Sequence, residues 1–176
     1  MTLVELLVAL AIVGILLAIG VPSLTAMSEA EAVRSHVNTM LGTLRYARAE
    51  AIRHRTQVVI CPSSNSESAN PSCSSGSADP WQVGWIIFLN RDGDSNYSYD
   101  ASQDSLLRVQ GPINNSGGIV KTSGINKLVY RSTGLLLTGG ASAFSFDAKS
   151  LRTTHKKMAC ISLQGRARVA SDLSCS

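Results

Sequence analysis

Residues 1–22 read MTLVELLVALAIVGILLAIGVP, and the rest of the chain has to be understood around them. From Leu6 to Val21 no polar side chain interrupts the run. With Leu3 and Val4 the apolar stretch spans about 19 residues, enough for a helix to cross roughly 30 Å of hydrocarbon. One carboxylate, Glu5, lies inside it near the amino end. Burying that charge in hydrocarbon costs several kcal/mol unless it finds a partner or stays at the interface. The run is too long for the apolar part of a signal peptide, and no small-residue cleavage site follows it. A simple membrane anchor has the right length but no use for Glu5.

Beyond Pro22 the apolar residues keep helical spacing: Leu24, Met27, Val33, Val37, Met40 or Leu41, Leu44, Ala47 and Ala51. Glu29, Glu31, Arg34, Arg45, Arg48 and Glu50 fill positions between them. The pattern predicts one helix ending near Arg55, with a membrane-spanning first half (1–22) and an amphipathic second half (23–55). Pro22 removes one backbone hydrogen bond and is expected to bend the helix where it leaves the apolar zone. His36 and His54 are expected on its exposed or flanking part. The amphipathic stripe then needs a surface to cover it.

Residues 56–176 supply that surface. The period switches to short apolar runs, predicting strands at Gln57–Cys61, Val83–Leu89, Leu106–Gln110, Lys127–Arg131, Leu135–Thr138, Phe144–Asp147, Met158–Leu163 and Arg166–Ala170. Turn signals separate them: Pro62 with a Ser/Asn run, Asp92-Gly93-Asp94, Asn114 to Gly118, Gly139-Gly140 and Gln164-Gly165. The fold class is therefore α+β, a long helix packed on an antiparallel β domain. Trp81, Trp85 and Phe88 read as core residues of that domain.

The four cysteines are Cys61, Cys73, Cys160 and Cys175. None forms C-x-x-C and no histidine sits beside them at ligand spacing, which argues against structural zinc. Two disulfides fit better, and of three connectivities Cys61–Cys73 with Cys160–Cys175 is favoured because each closes a short Ser-rich loop. An oxidising compartment follows. The net charge of +4 is unevenly spread: residues 1–55 sum to +1, 56–119 to −4 and 120–176 to +7. The basic excess in the last third suits an anionic partner.

The opening Met1-Thr2-Leu3-Val4-Glu5-Leu6, with Pro22 downstream, resembles the start of mature type IV pilins and type II secretion pseudopilins. Position 1 is Met where that superfamily usually has Phe. The segments LRYARAEAIRHRTQVVICPSS, WQVGWIIFLNRDGD and ACISLQGRARV resemble the GspH/FimT family of minor pilins and pseudopilins. The resemblance implies a type IV pilin-like fold and a subunit anchored by a single pass in the inner membrane. Its β domain would lie in the periplasm and later on the cell surface within a pilus. It implies other pilin subunits as partners through the N-terminal helix, with Glu5 pairing the amino group of Met1 on a neighbour. Leader cleavage by a prepilin peptidase and N-methylation follow from the resemblance alone.

Gly165-Arg166-Ala167-Arg168 resembles the C-terminal motif of the FimT branch, associated with DNA contact in natural transformation. Strand alternation sets Arg166 and Arg168 on one face, about 7 Å apart, a spacing suited to successive phosphates. Arg152, His155, Lys156 and Lys157 are candidates to extend the patch. The expected function is a minor pilin that contacts DNA for uptake. The alternative is a FimU-like or GspH-like subunit that primes a pilus or secretion pseudopilus without touching DNA.

One further loop offers a faint metal signal. Asp92, Asp94, Asn96 and Asp100 occupy the first, third, fifth and ninth positions of an EF-hand-like calcium loop, but Tyr97 and Gln103 replace its Gly and Glu. A polar turn with side-chain capping is the simpler reading, so no metal or cofactor is expected. Enzymes find no support either. No G-x-S-x-G elbow occurs, and the histidines His36, His54 and His155 have no evident nucleophile beside them.

Overall fold

The computed structural model describes residues 2–74, 76, 80–122, 126–137, 142–150, 155–170 and 172–175, with backbone alone at 19–22. A single helix, α1, runs Leu3–His54, 52 residues without interruption, so Pro22 is passed inside it. At 1.5 Å per residue it is about 78 Å long. Thr2 caps its start and Arg55, at φ 54°, turns the chain out of its end. Arg53 and His54 in the last turn complement the negative end of the helix dipole.

Among the described residues eight strands follow: β1 Gln57–Pro62, β2 Trp85–Asn90, β3 Ser105–Gln110, β4 Ser116–Lys121, β5 Leu128–Tyr130, β6 Ser142–Ala148, β7 Lys157–Ile161 and β8 Ala167–Val169. They form two four-stranded antiparallel sheets, ordered β3-β2-β1-β5 and β4-β6-β7-β8. The main core lies where α1 meets both sheets. Val33, Val37, Met40, Leu44, Ala47 and Ala51 bury one stripe of the helix there. The stripe begins later than its sequence period suggests, because Leu24 and Met27 project ahead of the β domain and stay two-thirds exposed.

Alternation divides β1 and β2 between two cores. Val58, Ile60, Trp85, Ile87 and Leu89 face the helix side. Val59, Cys61, Ile86, Phe88 and Val129 face outward beneath Cys73, Tyr97, Tyr99 and Leu137. Loops thus cover the far face of the first sheet, which explains why β2 is apolar throughout. Trp81 packs edge-on against Phe144 at 4.9 Å. Both indoles are satisfied: Trp81 Nε1 donates to Asn126 Oδ1 at 2.7 Å and Trp85 Nε1 to Thr43 Oγ1 at 3.2 Å.

The disulfides are Cys61–Cys73 and Cys160–Cys175, as the loop lengths suggest. Three expectations need correction. Residues 116–121 form β4 although Ser116-Gly117-Gly118 reads as a turn; a bulge at Gly118, φ +150°, lets the glycines enter the ladder. Leu135–Thr138 is not a full strand: a tight turn from Arg131 to Leu135 leaves a single bridge, Tyr130 to Leu136, and Thr138 lies outside the described residues. His36 is buried rather than exposed. Burial lowers its pKa below the usual value, partly opposed by a hydrogen bond to the Asn114 backbone.

Candidate functional site

From Leu6 to Leu17 α1 is apolar on every side, and among the described residues nothing covers it. Its large residues from Leu3 to Leu17 are 50–76% exposed. A helix apolar all round requires lipid or neighbouring helices as its solvent. At its start Thr2 and Glu5 form a capping box: Glu5 Oε2 accepts the Thr2 N–H, and Thr2 Oγ1 accepts the Glu5 N–H, both at 3.3 Å. The signal T-x-x-E was present in the sequence. Met1, the expected partner from a neighbouring copy, lies outside the described residues.

At the other end of the chain, the G-R-A-R motif forms the turn between β7 and β8. Gly165 N–H donates to Ser162 O at 2.8 Å and Ser162 N–H to Arg166 O at 3.0 Å, closing a three-residue loop with Gly165 at φ +73°. Arg168 lies opposite Cys160, while Ala167 lies opposite Ile161 and packs toward the core. Arg166, the last residue before β8, and Arg168 within that edge strand are both exposed, so the strand expected to begin at Arg166 begins one residue later. The turn is docked as well as closed. Leu136 N–H donates to Leu163 O at 3.1 Å, and Arg48 Nε donates to Gly134 O at 3.0 Å. A Cβ on Gly165 would stand 2.3 Å from Gly134 O and 2.9 Å from the Tyr130 ring. Only glycine allows so close an approach.

The other expected cations do not gather at this turn. Lys156 Nζ sits 3.0 Å from Asp147 Oδ1. Lys157 pairs across the sheet with Phe146 and shares the helix-facing side with Ala159, opposite to the face of Arg168. It borders a different groove with Arg34 and Asn38. Arg152 lies outside the described residues. Sequence reasoning missed Arg45 and Arg48. With Ala49 and Ile52 they form one face of α1, and together with Gly165, Arg166 and Ala167 they line a groove of about 400 Å³. Their i, i+3, i+4, i+7 spacing was visible, but nothing in the sequence indicated that the turn would lie against it.

Residues 36–165 match the family described as Type II transport protein GspH. The chain belongs to the GspH family. In this GspH-family chain the match begins inside α1 and ends within the β7–β8 turn. Its fold is similar to the type IV minor pilin FimU of Pseudomonas aeruginosa strain PAO1 in two crystal forms. One is 18% identical with a TM-score of 0.58, covering 85% of this chain and 99% of that one. The other is also 18% identical, with a TM-score of 0.53, covering 81% and 99%. No curated protein matches the chain in sequence.

The Asp-rich loop uses its carboxylates internally. Asp94 Oδ1 accepts the Tyr97 N–H at 3.0 Å, and Asp92 Oδ1 accepts the Asp94 N–H at 3.0 Å. Asn96 Oδ1 accepts the Ser98 N–H at 2.8 Å. Asp100 accepts both the Ser102 hydroxyl and its N–H, which hold its carboxyl below the usual range. The Lys127 ammonium donates to Asn96 O at 2.8 Å, so a cation already caps the loop. Among the described residues no group of three or more His, Cys, Asp or Glu converges as metal ligands would. Trp81, a possible stacking platform by composition, is fully buried.

Proposed function

We propose that the protein is a minor pilin that enters a type IV pilus through α1 and contacts DNA through the β7–β8 turn. The observation that carries the DNA reading is the docked turn that exposes Arg166, with Arg168 exposed on the edge strand that follows. Their guanidiniums grip phosphates without reading sequence, so binding is non-specific and weakens with salt. Glu5 serves assembly. In the membrane its carboxylate is held by its own helix start; in a filament it pairs with the amino group of Met1 on a neighbouring copy. Before assembly the subunit sits in the inner membrane, with the β domain in the periplasm.

The test uses residues 26–176, which retain the whole core because every buried hydrophobic residue lies at Val33 or beyond. DNA binding is measured over a salt series for the natural sequence and for Arg166→Ala/Arg168→Ala. The natural domain is expected to bind, and the variant to lose about 1.8 from the log–log salt slope on duplex, two contacts at about 0.9 each. A natural domain with no salt-sensitive binding overturns the DNA reading. The second reading, a subunit that primes a pilus or secretion pseudopilus, then stands on the similarity to FimU and on the uncovered apolar half of α1. Glu5→Ala in cells tests assembly separately: undiminished incorporation into filaments would remove the role given to Glu5.

A further inference from the structure

We infer that the groove between α1 and the β7–β8 turn is a second phosphate-binding segment, which leads a DNA strand from Arg166 onto Arg48 and Arg45 of the helix. The inference rests on the DNA reading above and redraws its footprint. The patch extends across to α1 rather than along the sheet to Lys156 and Lys157.

Three features support it. First, the groove gathers three arginines and no carboxylate: Arg45 and Arg48 from α1, and Arg166 from the turn. Glu50, the acid of this stretch of helix, is already engaged by Arg53 and His54 at 2.7 and 3.2 Å. The local field is therefore positive and is not cancelled by a side chain within the groove. Second, Arg48 and the β7–β8 turn are held in place. Arg48 Nε donates to Gly134 O at 3.0 Å, which fixes the stem of the side chain and leaves its terminal amino groups as donors. Gly165 lies so close to Gly134 and the Tyr130 ring that the turn has no room to slide along the helix. Preorganised donors lose less freedom on binding. Third, apolar surface borders the cations. Ala49, Ile52 and Ala167 share the lining, and the Tyr130 ring is fully buried beside Gly165. Charge pairs at such a surface are screened less than pairs in open water.

The spacing suits a strand. Arg45 and Arg48, three residues apart on a helix, have Cβ atoms about 5–6 Å apart. Each can hold its own phosphate oxygen or both can close on one. Arg166 approaches from the opposite wall, so a sugar–phosphate backbone lying in the groove meets cations on both sides.

The experiment compares residues 26–176 of the natural sequence with Arg45→Gln, Arg45→Lys, Arg48→Gln and Arg166→Ala/Arg168→Ala. Binding is measured to a short duplex, to a single strand of equal length and to phosphatidylglycerol vesicles, with a thermal melt of each variant. Arg45→Gln is expected to weaken duplex binding roughly eightfold at about 0.1 M salt and to lower the salt slope by about 0.9, with an unchanged melt. Arg45→Lys is expected to bind like the natural domain, since a point charge suffices for a phosphate. Arg48→Gln is expected to show a similar loss with a lower melt, because its bond to Gly134 goes too. If Arg166→Ala/Arg168→Ala abolishes binding while Arg45→Gln and Arg48→Gln leave it intact, the groove is refuted and the DNA reading survives. Should Arg45→Gln lose vesicle binding alone, the groove serves lipid headgroups and the inference is overturned. A natural domain that binds no DNA removes both.

Discussion

Replacing Gly165 with Ala isolates the contact that docks the β7–β8 turn against Tyr130 of β5 and Gly134. Two costs arise. The backbone stays at φ +73°, where an L side chain costs about 1–2 kcal/mol. The new Cβ would also fall 2.3 Å from Gly134 O and 2.9 Å from the Tyr130 ring, both backbone or ring atoms that cannot swing aside. Overpacking of this kind costs typically about 1–3 kcal/mol. The sum, about 2–5 kcal/mol, corresponds to a fall in melting temperature on the order of 10 °C for a domain of this size. Gly93→Ala is the internal control. Gly93 has nearly the same backbone angle, φ +71°, but nothing lies within 4 Å of its would-be Cβ. Both variants are melted as residues 26–176, and the difference between them measures the docking contact free of the backbone term. Equal melting temperatures for the two would refute the claim that the turn is wedged against Gly134 and Tyr130, and with it the preorganisation assigned to Arg166.

Three other outcomes are expected. Thr43→Val keeps the shape of a buried side chain but orphans the Trp85 indole N–H, costing about 1–3 kcal/mol in chemical denaturation; a loss below 0.5 kcal/mol, roughly, would mean that the indole has another partner. His36 is held neutral by burial, so its folded pKa lies below 6.5 while the unfolded chain protonates at 6.5. The stability it contributes is complete above pH 6.5 and is lost as pH falls from there toward the folded value, and His36→Gln should flatten that part of the pH–stability curve; an unchanged slope in the variant would assign it to other groups. Replacing Cys160 and Cys175 together by Ser opens a loop of 15 residues and should cost about 3 kcal/mol in urea unfolding; no change in midpoint would show that the chain end is held by other contacts.

Much of the architecture was legible because local periodicity and tertiary demand agree. The stripe from Val33 to Ala51 repeats at helical spacing and is buried at that spacing. β1 and β2 carry β-branched or aromatic runs of ordinary strand length, bounded by turn residues. β4 was hidden because Ser116, Gly117 and Gly118 are turn residues by propensity; pairing with β6 and a bulge override that preference. His36 lies at the edge of the stripe, three residues after Val33 and four before Met40, and the segment around Asn114 closes over that edge from outside the helix.

The candidate site was half legible. Gly165 to Arg168 declared a turn and an alternating strand, and local rules suffice for both. Its neighbours depend on which sheet face meets the helix, which no short-range pattern encodes. Register puts Lys157 and Arg168 on opposite faces although they are close in sequence, and brings Arg45 and Arg48 beside Arg166 across more than a hundred residues. The Glu5 capping box is the reverse case: a four-residue signal fully present in the chain, formed by local hydrogen bonds alone.

The two disulfides carry a consequence for biogenesis. Each joins a cysteine to the next one along the chain, Cys61 to Cys73 and Cys160 to Cys175. A chain emerging amino end first therefore presents one complete native pair long before the third cysteine arrives. An oxidant that joins thiols in order of appearance makes both correct bonds without reshuffling. The mispaired alternatives, all of which tie the first sheet's cysteines to the second's, are avoided by timing before the fold itself has to discriminate against them.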